Sequence, residues 1–305
     1  MAQLNSSSLK IGAAQVGTCL FDAAATFAKF EDYLAKAKAA ALDMVVFPEA
    51  FIGGYPKGID FGVTVGARSA EGREQFRQYA QDAIKRGSPE MMQIQSAIKA
   101  VGVNVVLGLI ERDGGTLYCV TASFDRRGEV LSWHRKLMPT AMERVIWGLG
   151  AGDDMAIAAM EFGRVSSAIC WENYMPLYRA HLYSQGPIIH TAPTVDDRDV
   201  WQPTMQMIAL ESRCFVVTAC QYMTRGHVAA NWYDPIQGQA DETVLIRGGS
   251  HIISPMGEVL SAPVFNKETL IMAEIDLDDI PRAQFDMDNR GHYTRPDVFS
   301  LTVKT

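Results

Sequence analysis

The sequence predicts an α/β protein built on two packed sheets. Three observations lead there. The opening reads strand, amphipathic helix, strand, the pattern of a sheet with a crossover helix. Strands and helices then interleave to the end, with no repeat, low-complexity tract or linker, so one domain over 1–305 is expected, its core at about 10–280. About a dozen strands are too many for one compact sheet with short loops, and two sheets follow.

Lys10–Val16 reads as a strand, and Asp22–Ala41 as a helix with Phe27, Phe30, Leu34 and Ala37 at helical spacing. Met44–Phe47 is a buried strand that ends at Pro48-Glu49, before the Gly/Pro loop FIGGYPK. Gly66–Arg86 reads as largely helical. Ser88-Pro89-Glu90 supplies a cap and a first-turn proline for a helix to about Ala100. Val103–Glu111, Thr116–Asp125 and Glu129–His134 form a meander. Met155–Met160 and Arg164–Ile169 form a hairpin, and Pro176–Gln185 a helix. Next come a strand at Pro187–Thr191, a helix at Trp201–Ser212 and a strand at Cys214–Cys220. Arg225–Glu242 is a long connection of the kind that covers a site. Thr243–Ser254 and Glu258–Ala262 pair around a turn, and Leu270–Ile275 is the last strand before an irregular tail from Asp286.

The chain is 48% hydrophobic and 21% charged, enough apolar material for a sizeable core. A net charge of -7 argues against nucleic acid or an anionic membrane as partner. No apolar run approaches the ~18 residues of a membrane span. The N-terminus lacks a charged start followed by an apolar stretch, so no signal peptide and a cytoplasmic location are expected. The sequon Asn5-Ser6-Ser7 then carries no weight. Five cysteines without a CxxC suggest neither a disulfide framework nor a zinc ribbon. Cys214 and Cys220 lie about 20 Å apart along one strand, beyond disulfide reach. A reduced protein is expected.

The chemistry centres on Arg164–Arg179, RVSSAICWENYMPLYR. A cysteine after an apolar strand is most often core. Cys170 differs because its strand ends there, and a helix start close by offers N–H groups that stabilise a thiolate or an oxyanion. Such a thiol needs a base. None of His134, His181, His190, His227, His251 and His292 forms a recognisable Cys-His-Asn arrangement. Glu49 ends an apolar strand, where partial desolvation raises a carboxyl pKa toward neutrality; the plainer reading is a solvated loop carboxylate. Lys136 follows a strand directly and is either a surface lysine or a cation balancing a thiolate. Glu143 is either a surface ion-pair residue or a second carboxylate that positions the lysine. Tyr55, Trp147, Trp171, Thr194 and Trp201 are candidates for a pocket wall near these loops. The glycine-rich loop at Gly148, Gly150 and Gly152 lacks phosphate-binding spacing, and neither HExxH nor GxSxG occurs.

Four segments, in order, resemble the nitrilase superfamily of carbon–nitrogen hydrolases, and its nitrilase branch in particular. VVFPEAFIGGYPKG carries Glu49, WHRKLMPTAMERVIWGLG carries Lys136 and Glu143, and AICWENYMPLYR carries Cys170. RGGSHIISPMGEVL and GHYTRPDVFSL close the chain. The resemblance runs from about Lys10 to Val303. It implies a four-layer α-β-β-α sandwich, and homodimers that build an α-β-β-α-α-β-β-α unit and grow into higher oligomers or spirals, with 281–305 at a subunit interface. It implies Glu49 as general base, Lys136 as stabilising cation, Cys170 as nucleophile and Glu143 as a further glutamate. The Trp171 N–H would share the anion-stabilising role. The implied reaction takes a small organic nitrile to its acid and ammonia with no cofactor or metal. Cys-Trp-Glu-Asn is the nitrilase form of the elbow. An amide or carbamoyl hydrolase, a cyanide hydratase and a catalytically silent assembly module are the rival readings. The chain departs from the pattern at Ala151, where Asp is frequent, and at Ser212, where Gly is common. It also stops soon after RPDVF, whereas many nitrilases carry a longer tail.

Overall fold

The computed structural model describes residues 8–155 and 157–304. The sequon at Asn5, and Ala156 within the expected strand Met155–Met160, lie outside the described residues.

β1 (Ser8–Gln15) leads through α1 (Ala23–Ala39) to β2 (Met44–Val46), parallel to β1. Asp22 starts α1 by accepting from the Ala25 N–H, and Phe30, Leu34 and Ala37 form the buried stripe expected of them. A ribbon of β3 (Val63–Thr64) and β4 (Ala67–Arg68) precedes α2 (Ala70–Gln81). This helix is shorter than the expected Gly66–Arg86. Ser69 caps its start through the Gly72 N–H, and by Ile84 the chain has left the helix to bridge Glu111 at the sheet. α3 (Pro89–Val101) is capped by Ser88 and stops at left-handed Gly102. The meander is β5 (Asn104–Asp113), β6 (Thr116–Phe124) and β7 (Val130–Arg135).

The second half opens with the hairpin β8 (Ile157–Met160) and β9 (Gly163–Ser167), then α4 (Pro176–Ser184) and β10 (Ile189–Thr194). α5 (Trp201–Ser212) leads to β11 (Phe215–Cys220) and β12 (Tyr222–Thr224). The expected single strand Thr243–Ser254 is two. β13 (Val244–Arg247) pairs with β12, whereas β14 (His251–Ile253) pairs with β11. Gly248 and Gly249, with φ of 90° and 109°, turn the chain between them. β15 (Val259–Ser261), β16 (Thr269–Asp276) and α6 (Asp279–Asp286) follow; α6 was not expected from the sequence.

The first sheet has the order β16-β1-β2-β5-β6-β7, the second β15-β14-β11-β10-β9-β8. Alternation along β5 sorts its two faces. Val106 points into the layer between the sheets with Ile11, Val46, Val165, Ile189 and Val217. Val105 and Leu107 point outward, under Phe30 and Leu34 of α1 and Ile94 and Ile98 of α3. On the far side, Met205 and Ile208 of α5 cover Val216 and Ile253, and Tyr178 and Leu182 of α4 cover Ala168. This is the four-layer α-β-β-α sandwich. β2, β9, β10 and β11 all run parallel to a neighbour, and their carboxyl ends supply Glu49, Cys170, Thr194 and Gln221. Such ends are where open α/β sheets form binding crevices.

Candidate active site

Glu49 leaves the end of β2 fully buried. Gly108 of β5 lies against it, where a Cβ would come within 2.0 Å of the Pro48 carbonyl oxygen and 2.7 Å of the Glu49 Cα. Gln221 Nε2 donates to the Glu49 carbonyl at 2.8 Å. Lys136, directly after β7, is equally buried, its backbone held by Cys119 and Gly150. Gly150 allows this, since a Cβ there would sit 2.0 Å from the Arg135 carbonyl oxygen.

The Lys136 ammonium donates to Glu49 Oε1 at 2.6 Å and to Glu143 Oε2 at 2.8 Å. Glu143 sits on a 3-10 turn, Ala141–Val145, and also accepts from the Thr140 N–H and the Tyr55 hydroxyl. The Trp147 ring lies 5.7 Å from Lys136 Nζ and meets the Tyr55 ring edge-on. One ammonium therefore serves two carboxylates. Burial pushes the Glu49 carboxyl up to about 7, against the pull of Lys136; the charge of Glu143 adds to the rise. Burial works against the Lys136 charge, but the acidic neighbours together, Glu49 foremost with Cys170 and Glu143, outweigh it and hold the ammonium well above its ordinary value.

Cys170 opens a 3-10 turn, Cys170–Tyr174, rather than the regular helix, which begins at Pro176. The residue is 3% exposed, and its thiol accepts from the Thr194 hydroxyl at 3.3 Å. Burial holds the thiol well above its ordinary pKa, with the Glu49 charge adding to the rise, so at rest it keeps its proton. Three non-glycine residues around this set are left-handed: Ala50 after Glu49, Ala141 in the turn of Glu143, and Cys170 itself, with φ of 50°, 47° and 49°. Such backbone costs about 1–2 kcal/mol per residue and concentrates at functional sites.

The structure thus brings together Glu49, Lys136, Glu143 and Cys170 with Tyr55, Trp147 and Thr194. Trp171 is 42% exposed, donates to Asp196 at 2.9 Å and lies under the Arg198 guanidinium. Trp201 sits apart from the set. It is buried at the first position of α5, donates to Thr218, and meets Tyr174 edge-on. A cavity of about 420 Å³ opens beside the set, lined by Tyr55, Glu143, Ile59, Phe61, Ile146 and Ile236. The long connection reaches this rim, and its Tyr233 donates to the Lys57 carbonyl.

Two further residues bear on the site: His134, a candidate base in the sequence, and Glu172 of the Cys-Trp-Glu-Asn elbow. Both are buried beneath the Lys136 and Cys170 corners, joined at 2.9 Å. The alternation of β7 is the signal that could have found His134, since it sends that side chain to the face opposite Trp133 and Arg135. Among the described residues, no cluster of three His, Cys, Asp or Glu side chains could hold a metal ion. All five cysteines are free, and among the described residues no helix is long and apolar enough to cross a membrane.

A buried thiol, ammonium and carboxylate pair at the strand ends of a four-layer sandwich define a class of proteins rather than one activity. The chain belongs to the carbon–nitrogen hydrolase family, whose description matches residues 10–285. It is 54% identical to nitrilase blr3397 of Bradyrhizobium diazoefficiens over 88% of this chain and 83% of that one. It is 47% identical to an aliphatic nitrilase of Sinorhizobium fredii, covering 92% and 91%. Nitrilase 1 of Arabidopsis thaliana shares 43%, covering 98% and 87%. In fold, the chain resembles the C. elegans NitFhit protein, with a TM-score of 0.75 at 18% identity, over 98% of this chain and 68% of that one. Nit3 of Saccharomyces cerevisiae gives 0.73 at 16%, covering 96% and 97%.

Proposed function

We propose that the protein hydrolyses an organic nitrile to the carboxylic acid and ammonia, with Cys170 as nucleophile. The observation that carries this reading is the convergence of three buried groups. Lys136 lies 2.6 Å from Glu49, and the Cys170 thiol receives the Thr194 hydroxyl at 3.3 Å in the same enclosure. The nitrilase relatives support nitriles as the substrate class.

Glu49 takes the thiol proton as sulfur bonds to the nitrile carbon. The displaced π pair goes to nitrogen, which receives that proton and becomes a thioimidate. The Lys136 ammonium and the Trp171 backbone N–H stabilise the charge that builds on nitrogen. Glu49 then deprotonates a water that adds to the thioimidate carbon. The C–N bond breaks, ammonia departs with the proton, and a thioester remains. A second water, activated in the same way, breaks the C–S bond and releases the acid and the thiol. Glu143 holds Lys136 in position, Tyr55 and Trp147 wall the site, and Thr194 orients the sulfur. The apolar rim at Ile59, Phe61, Ile146 and Ile236 supports an uncharged organic substituent.

The same reading includes one hydrolase domain that assembles as a homodimer and then into longer spirals, with 281–305 at a subunit contact. Exposed Leu177 on α4, Met207 on α5 and Phe299 and Leu301 in the C-terminal segment support such contacts. The free cysteines support a reducing, cytoplasmic setting.

The test is a panel of aliphatic, arylacetic and aromatic nitriles with their amides, scored for ammonia, acid and amide. Acid and ammonia from a nitrile, lost in Cys170→Ala, are expected. Turnover of an amide with none of any nitrile would overturn the substrate class.

A further inference from the structure

Beneath the two corners that present Lys136 and Cys170 lies a second buried charged pair that the mechanism above does not use. Glu172 and His134 are both wholly enclosed. The Glu172 carboxyl ties down both corners. Its Oε1 accepts from the N–H of Leu137, which follows Lys136, at 2.7 Å. Its Oε2 accepts from the N–H of Ile169, which precedes Cys170, also at 2.7 Å. The imidazole Nε2 lies 2.9 Å and 3.1 Å from the same two oxygens.

The protonation of the pair follows from donor bookkeeping. The His134 Nδ1 lies 2.7 Å from the Asp154 backbone carbonyl, which can only accept, so Nδ1 carries a hydrogen. Both Glu172 oxygens already accept backbone N–H groups, so the carboxyl meets the ring as an acceptor. The Nε2 that faces this carboxylate must therefore donate as well. Tyr178 gives its own hydroxyl hydrogen to the Ser167 carbonyl and offers Nε2 only an oxygen. Both ring nitrogens then bear hydrogen, which makes His134 an imidazolium. The titratable groups facing the ring are Glu172 from the elbow turn, Asp154 from the turn at Gly152–Asp154, and Tyr178 from α4. Burial, the largest single influence, lowers the imidazole pKa, yet the Glu172 charge and hydrogen bond together with Asp154 outweigh it and hold it above its ordinary value.

We propose that His134 and Glu172 form a buried imidazolium–carboxylate clamp that positions the Lys136 ammonium against the Cys170 thiol. The clamp rests on the reading of Lys136 and Cys170 as the reacting pair. His134 and Glu172 are positioning residues, since they act through the backbone at Leu137 and Ile169 rather than on the reacting atoms. The imidazolium also cancels a carboxylate charge that would otherwise stand close to a forming thiolate. The glutamate of Cys-Trp-Glu-Asn thereby acquires a physical role, because one carboxylate sets the relative position of two strand ends from different sheets.

The charge state is read directly by nitrogen NMR of the full-length protein labelled with heavy carbon and nitrogen, with the His134 ring assigned through its own backbone signals in the parent protein. Two protonated ring nitrogens at about pH 7 are expected, above the ordinary imidazole pKa of about 6.5. A neutral ring at pH 7 overturns the clamp, even if no variant folds. In nitrile turnover, His134→Gln and Glu172→Gln should each lower kcat by roughly 100-fold, with KM within about 2-fold. The double variant removes both charges together and should lose far less than the product of the two single losses. Single variants with the parent kcat and pH profile, or losses that simply multiply, overturn the proposal. Absence of nitrile turnover in the parent protein would count against the proposed function alone. The clamp would then be read from alkylation of Cys170 by iodoacetamide, whose rate and pH profile should shift in the single variants. Unchanged alkylation would overturn it.

Discussion

The Lys136 ammonium lies 2.6 Å from one oxygen of the Glu49 carboxylate, and neither side chain reaches solvent. Two charges so placed depend on each other. Lys136→Met would leave Glu49 and Glu143 buried with no cation between them. The expected result is a stability loss of roughly 3–5 kcal/mol, measured by urea unfolding, together with loss of turnover. Unchanged stability would mean that water reaches these carboxylates.

The same pair sets the acid side of the pH profile. As the base proposed for the Cys170 thiol, Glu49 has to be ionised, and burial has raised its pKa to about 7. The rate, as kcat/KM, should therefore fall as pH drops through that value. Glu143→Gln removes a neighbouring negative charge that helps keep the Glu49 pKa high. Its residual activity should show the acid limb moved to lower pH. A limb that stays put or moves upward would detach it from Glu49.

Gly108 should tolerate no side chain, for want of space rather than of backbone freedom. A Cβ there would press on Pro48 and Glu49 backbone at 2.0 Å and 2.7 Å, and backbone cannot rotate away. Gly108→Ala should push Glu49 off its line to Lys136. A kcat loss of roughly 100-fold and a stability loss of about 1–3 kcal/mol are expected. Steady-state kinetics beside thermal unfolding would show both.

Asp82 offers a test away from the chemistry. It ends α2, where the helix dipole disfavours a carboxylate, and partial burial raises its pKa from 3.8 to about 6, with Asp22 adding to the rise. A carboxyl raised in the folded state contributes stability below its unfolded pKa and loses it as pH climbs through the folded value. Asp82→Asn should therefore raise the melting temperature at pH 8 and leave it nearly unchanged near pH 4. The gain should be about 1 kcal/mol, or roughly 2 °C, after allowance for solvent screening. An equal gain at both pH values would rule out titration as its cause.

Most strands and helices were legible because apolar period and caps agree locally, as at Ser88-Pro89 and along α1. The strand ends bearing Glu49, Lys136 and Cys170 were legible for the same reason: each apolar run stops abruptly at a polar residue. Their convergence was not, because it depends on packing two sheets whose register no local pattern encodes. The break at Gly248-Gly249 was missed because β-branched and apolar residues continue on both sides of it. His134 and Glu172 were hidden for another reason. Each reads as an ordinary polar residue until the other, 38 positions away, is brought within 2.9 Å. Trp201 shows the opposite case, where closeness in sequence to Thr194 does not bring its ring to the thiol.

The left-handed backbone at Ala50, Ala141 and Cys170 has a consequence for anyone evolving this chain. Glycine relieves such a conformation by about 1 kcal/mol, so Ala50→Gly and Ala141→Gly are open routes to heat resistance. Both would slacken the corners beside Glu49 and Glu143. Cys170 has no such route, because glycine there deletes the sulfur. Screening for heat tolerance alone would then enrich sturdier, slower descendants, whereas a screen scored on turnover after heating would keep the alanines.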